Sequence, residues 1–211
     1  MSLSLYLPFC LATAVLILMP GPVVSLVVAN SLAHGTRAGL RTVAGSTLGN
    51  ALLVALGGIG LTTMLTLLSD LFTVIRWLGA AYLIWLGIKA LRAGQTLTRS
   101  GDEAVDHPTP SRRAVFLQGF MMAITNPKTL LFYVAFFPQF LDPAAAAGPQ
   151  LAIMGVTFVA IAVTLDGAYA LLAGQMRRWF TDPRRKRLQA RVTGSLLITS
   201  GLGMLLMRRP A

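Results

Sequence analysis

Acids and charge of any kind are scarce in this chain. Seven Asp and Glu stand among 211 residues, and charged residues together make up 12%. Soluble domains usually carry about 25%. With 55% hydrophobic residues, a soluble fold would leave broad apolar patches in water. Disorder, collagen-like repeats and ordinary soluble enzymes are excluded on this ground. Cysteine is nearly missing. Cys10 is the only one and lies in an apolar run, so there is no internal disulfide, no CxxC redox pair and no zinc spacing. There is no P-loop, no HExxH, no G-x-S-x-G and no paired carboxylates within an apolar run. No enzymatic constellation is recognisable and no cofactor is expected. Without a nucleotide-binding loop, any transport must draw on an ion gradient. The first thirty residues hold no Lys or Arg, which argues against a cleaved signal peptide with its basic n-region.

What the chain does have is long apolar runs. A membrane helix needs about 20 mostly apolar residues. Six runs qualify, at roughly 3–30, 42–68, 71–91, 114–140, 150–176 and 192–207. The expected fold is an all-α membrane protein of six transmembrane helices in one domain over 1–211. A polar stretch at about 94–113 divides it into a first part, about 1–93, and a second, about 114–211. The segment "LDPAAAAGP" reads as a short turn and "RRWFTDPRRKRLQAR" as a basic loop.

The net charge of +11 would suggest nucleic acid in a soluble protein. Position decides otherwise. Arg37 and Arg41 follow the first run. Lys89, Arg92, Arg99, Arg112 and Arg113 flank the polar stretch. Arg177, Arg178, Arg184, Arg185, Lys186, Arg187 and Arg191 lie between the fifth and sixth runs. Only Arg76, Arg208 and Arg209 fall on the other side. Cytoplasmic loops are the basic ones, so these three connections are expected in the cytoplasm and both termini outside. The bilayer, not nucleic acid, is the expected partner. Trp77, Trp85 and Trp179 near run ends read as interfacial anchors.

An internal repeat carries more information. The first run is interrupted by "MPGP", residues 19–22, and the fourth by "TNPK", residues 125–128. Pro22 and Pro127 are 105 residues apart, about half the chain. Three spans per half is an odd number, so the halves would insert with opposite orientation as an inverted 3+3 repeat, with helices 1 and 4 broken at mid-membrane. Matched breaks of this kind point to a transporter binding site.

Pro20 and Pro22 lack amide protons and Gly21 allows unusual dihedrals, so the helix should break there. Backbone groups freed in the bilayer must face protein or a wet cavity. A half-helix starting near Val23 offers free amides and a positive dipole end, suited to a carboxylate. The plain alternative is a structural kink. Beside Pro127, Asn126 can replace lost backbone hydrogen bonds. Lys128 is the only Lys or Arg near the centre of a run and should face a polar cavity and an anion. Asp166 is the only acid deep in a run. It either pairs with a cation, Lys128 being the candidate, or exchanges protons. Asp70 and Asp142, at run edges, and His34 and His107, near loops, read as solvated. Gly45 and Gly49 form a GxxxG that suggests close helix packing. Asn50, just after it, is read equally as a substrate contact or a helix-helix one. Gly35 and Gly39 flank the first connection as candidate hinges.

The chain resembles the LysE/RhtB family of bacterial amino-acid exporters over nearly its whole length. The matching segments are "MPGPVVSLVVANSLAHGTRAGLRTVAGSTLGN", "LGAAYLIWLGIKALRAG", "GFMMAITNPKTLLFYVAFFPQF", "LDGAYALLAG" and "VTGSLLITSGLGMLL". The first and third, in this order and spacing, are the specific ones. The resemblance implies a six-span inner-membrane exporter that moves amino acids or close derivatives outward, coupled to the proton-motive force. It leans to the threonine, homoserine and leucine branch rather than the lysine branch. Gly167 and Ala168 replace the bulkier residues frequent after the acid and are expected to affect pocket size. Candidate substrate-binding residues are Pro20, Gly21, Pro22, Val23, Asn50, Asn126, Pro127 and Lys128, with Asp166 as the proton-coupling group. A homodimer is left open. The alternatives are an inorganic cation or metal exporter of the same fold, which needs clustered acids or His/Cys in the spans, and a membrane enzyme or redox conduit, which needs paired cysteines.

Overall fold

A computed structural model describes residues 1–59, 77, 78, 80–92, 110–179 and 183–206. Among these the fold is helical, with no strand. The helices are α1 (Leu3–Leu18), α2 (Pro22–His34), α3 (Thr36–Ile59), α4 (residues 80–92), α5 (Arg112–Ile124), α6 (Pro127–Leu131), α7 (Ala147–Met176) and α8 (Pro183–Leu206). Asp70, Arg76, His107, Arg208, Arg209 and most of the polar stretch lie outside the described residues.

The two interruptions are real breaks. The axes of α1 and α2 differ by 50°. Proline starts the second half in both cases, at the first position of α2 and of α6. A missing N–H costs nothing there, because the first amides of a helix have no internal partner anyway. Gly21 itself is extended, at φ −138° and ψ −172°, a conformation open to any residue. The unusual dihedrals expected from sequence are not used here; what lies close to Gly21 is the Lys128 side chain. After α6 the chain continues through a π-type turn, Phe132–Phe136, and a 3-10 turn, Phe137–Phe140.

Two boundaries differ from the sequence expectation. The second run begins at Thr36, not near 42, so α2 and α3 are joined by Gly35 alone. Gly35 has φ +88°, the region that favours glycine. Gly39 lies within α3 against Ser31 and Ala170 and packs rather than hinges. The expected basic loop at 177–191 is mostly helix, a 3-10 turn at Arg177–Trp179 followed by α8 from Pro183. Arg, Lys, Leu, Gln and Ala are strong helix formers, and charge alone does not stop a helix. Gln150 closes the turn before α7, its amide donating to the carbonyls of Asp142, Ala145 and Ala146.

Cross-helix contacts fix the relative directions. Tyr6 meets Thr157 and Tyr169 meets Leu18, so α1 and α7 run parallel. Gly155 packs on Val54 and Gly174 on Thr36, so α3 and α7 run antiparallel. Gly119 faces Thr42, while Gly45 and Gly49 face Phe116, Phe120 and Ala123, so α3 and α5 run parallel. The GxxxG therefore serves packing within the chain. Asn30 joins α2, α3 and α5, donating to Thr42 at 2.9 Å and Gln118 at 3.2 Å.

α7 is long and apolar enough to cross a membrane, and α1 with α2 passes as one bent pair. Leu3, Leu7, Leu11, Val15 and Leu18 form an exposed stripe on α1. A whole helix face of exposed apolar groups suits contact with lipid tails and not with water.

Candidate functional site

Both breaks open on one cavity. It has about 380 Å³ of empty space, counting the part that opens outward. Of the residues singled out from sequence, Gly21, Val23, Asn50, Asn126, Lys128 and Asp166 line it. Pro20 is exposed, and Pro22 and Pro127 are buried outside the lining. The prolines shape the site by starting half-helices.

At the first break, Val23 and Val24 occupy the first turn of α2, where amides have no partner within the helix. Pro22, ahead of them, has no amide proton to offer. Both valines line the cavity. Two of the freed carbonyls at the end of α1 are taken. Lys128 Nζ donates to Met19 O at 2.5 Å, and the Tyr169 hydroxyl donates to Leu18 O at 2.9 Å. The ammonium thus sits at the negative end of α1, a favourable position for a cation. It bridges the break of the first half to the break of the second. The Lys128 chain passes over Gly21, where an added Cβ would come within 3.2 Å of Cδ and 3.4 Å of Nζ.

At the second break, both ends of the Asn126 amide are engaged locally. Its Oδ1 accepts from Lys128 N at 3.1 Å, and its Nδ2 donates to Thr129 Oγ1 at 2.9 Å. This is an N-cap holding α6 in place. Asp166 is 4% exposed and its Oδ1 has no hydrogen-bond partner. Asn50 is equally buried and its Oδ1 is also unpartnered. Buried polar atoms are nearly always hydrogen-bonded in native proteins. Two such acceptors line one cavity, together with the two residues that start α2.

Sequence reading missed Tyr169, three residues after Asp166 and so on the same face of α7; that spacing was the available signal. It also missed Phe158 and Ala162, which lie on the Asp166 face at four-residue steps and line the cavity. Gly167 and Ala168, expected to affect pocket size, are not part of the lining, because each further residue turns about 100° away from Asp166. His34, at the end of α2, is half-buried and so only partly solvated. No group of three His, Cys, Asp or Glu among the described residues could hold a metal.

Paired broken helices around a small cavity with a few buried polar groups, in a helical bundle with an apolar exterior, define a membrane protein of the transporter class. The chain belongs to the LysE type translocator family, which matches residues 14–208. It is 34% identical over 206 residues to an uncharacterized membrane protein of Vibrio cholerae, covering 98% of each chain. It is 31% identical over 201 residues to a homoserine/homoserine lactone efflux protein of Salmonella typhimurium, covering 95% of this chain and 96% of the other. It is 34% identical over 187 residues to a leucine efflux protein of Klebsiella pneumoniae, covering 86% and 84%. These names fall on the homoserine and leucine side of the family, the side the sequence resembles. No solved structure matches the chain.

Proposed function

We propose that the protein exports amino acids or close derivatives across the bacterial inner membrane, exchanging them for protons. The observation that carries this reading is the Asp166 carboxylate, buried with a bare oxygen in a cavity also lined by Val23 and Val24 at the start of α2. A zwitterion fits these groups with its carboxylate at Val23 and Val24 and its ammonium at Asp166. Proton uptake by Asp166 would release the ammonium, and proton loss would restore the site. Lys128, bound to Met19, serves chiefly to hold the two breaks together. The names of the efflux relatives support an amino-acid cargo, and the absence of a nucleotide-binding loop supports an ion gradient as the energy source.

Six spans as an inverted 3+3 repeat, opened alternately to either side, complete the proposal. Its support is the matched placement of Pro22 and Pro127 at the start of α2 and α6, together with the helix directions given above. Inside-out vesicles from cells making the protein should take up labelled amino acids when the vesicle interior is made acidic. A protonophore should abolish the uptake. A panel of amino acids showing no uptake beyond vesicles without the protein would end this reading.

Orientation follows from the basic connections. A reporter active only in the periplasm, fused after Ala211, should be active. The same reporter placed in the polar stretch near 100 should be silent, and the reverse pattern would overturn the orientation.

A further inference from the structure

The two halves of the first broken helix are held very differently. Ten of the 13 residues of α2 are buried, against three of the 16 in α1, namely Phe9, Thr13 and Ile17. Among the described residues α2 packs on α3, α5, α7 and α8, whereas α1 packs chiefly on α7 and the turn Phe137–Phe140. The other face of α1 is the exposed apolar stripe. Yet α1 walls the cavity, through Leu16 and Ile17. The half that closes the site is the one with fewer ties to the bundle.

Between the halves the helical ladder is interrupted. α1 closes on the bond from Met19 N to Val15 O, and α2 opens on that from Ser25 N to Gly21 O. Pro20 and Pro22 have no N–H to bridge the gap, and Met19 and Gly21 are extended. Hinges are a few residues of this kind, at the ends of elements, that absorb changes in dihedral angle. Two side chains hold the free end of α1. Tyr169 on α7 donates to Leu18 O at 2.9 Å, and Lys128 on α6 donates to Met19 O. Nearer the other end, Phe9 lies among Phe132, Phe137 and Phe140, with ring centroids 6.3, 5.3 and 5.6 Å away.

The buried face of α1 contains one unfavourable group. Thr13 is fully buried and its hydroxyl has no partner. Thr47, Thr125, Thr164 and Thr199 each bond back to the carbonyl four residues earlier; Thr13 does not. A buried hydroxyl without a bond destabilises the arrangement that buries it. With α1 swung away from α7, water entering the crevice would satisfy that hydroxyl.

We propose that α1 is a hinged lid over the cavity, with the Tyr169 hydroxyl as its clasp and the unpaired Thr13 hydroxyl keeping the shut position releasable. Tyr169 is then a positioning residue that acts through α1. The lid rests on the efflux reading for its purpose, as a moving part of alternate opening, while the motion itself can be tested without cargo.

Cys10, the only cysteine, reports the motion. It is partly buried next to Phe9 and packs against the aromatic cluster. Thiol reagents attack the thiolate, which forms where water reaches the sulfur. In lipid nanodiscs both faces are open to a membrane-impermeant methanethiosulfonate reagent, and Cys10 of the unmodified protein should react slowly but completely. Tyr169→Phe keeps the ring and loses the bond, and should raise the rate about three- to tenfold. Thr13→Val keeps the shape and loses the hydroxyl, and should lower the rate by about as much. General loosening of the fold would instead raise both. The proposal fails if Cys10 never reacts in the unmodified protein, or if Thr13→Val reacts no more slowly, whatever Tyr169→Phe does. It also fails if a monodisperse Tyr169→Phe reacts no faster. The labelling needs no cargo, so absent amino-acid uptake would strike the efflux reading alone.

Discussion

Asp166→Asn should abolish pH-driven transport, with initial rates falling roughly a hundredfold or more, the scale seen when a positioned proton-transfer group is lost. Asparagine keeps the shape and one carbonyl oxygen but can no longer change charge. The variant should still exchange labelled for unlabelled substrate across the membrane without a gradient, because that reaction needs the site but no net proton movement. Lys128→Met gives the contrast. Its ammonium holds Met19 O at the end of α1, so its loss should slow transport and exchange together while leaving the dependence on pH in place. Wild-type pH-dependent transport in Asp166→Asn would remove Asp166 from the mechanism. Loss of pH dependence in Lys128→Met would move the coupling role to the lysine.

Gly119→Ala should sharply lower the amount of folded protein in the membrane, although it adds a single methyl group. The new Cβ would overlap the Thr42 carbonyl, and the neighbouring crossing at Gly45 is as tight against the Phe116 carbonyl. Backbone atoms cannot swing aside as a flexible side chain does. Overpacking of this kind costs about 1–3 kcal/mol or more, and one or two kcal/mol changes the folded-to-unfolded ratio by about 5–30-fold. Gly167→Ala is the control. An added Cβ there meets nothing within 4 Å, and helix propensity favours Ala over Gly by up to about 1 kcal/mol. Membrane abundance by immunoblot and resistance to thermal aggregation in detergent would compare the two. Equal abundance of Gly119→Ala and Gly167→Ala would show that the α3–α5 crossing can relax.

Much of the site was legible because its rarest residues are expensive in an apolar chain. One lysine and one aspartate deep in apolar runs need a reason to be there, and both line the cavity. The breaks were legible for a similar reason, since proline at those positions forbids a continuous hydrogen-bond ladder. Partnership was not legible. Sequence suggested that Lys128 would face an anion, with Asp166 the candidate; the two line one cavity and feel each other's charge, but the hydrogen bond of Lys128 goes to a backbone carbonyl. Freed carbonyls carry no letter in the sequence, so their claim on a cation cannot be read there. Tyr169, Phe158 and Ala162 were missed because apolar and aromatic residues at helical spacing usually mean core packing.

The sequence by itself determined that this chain is helical and membrane-bound, where its helices break, and which few polar groups had to be explained. Composition and proline placement act locally, residue by residue, and need no partner to be read. The tertiary structure decided which of those groups are satisfied and which are left open. Asn126 caps α6 and Lys128 bridges the breaks, while Asp166 and Asn50 each keep a bare oxygen in the same cavity. Hydrogen-bond satisfaction depends on what arrives from helices far away in sequence, and only the packed bundle fixes that.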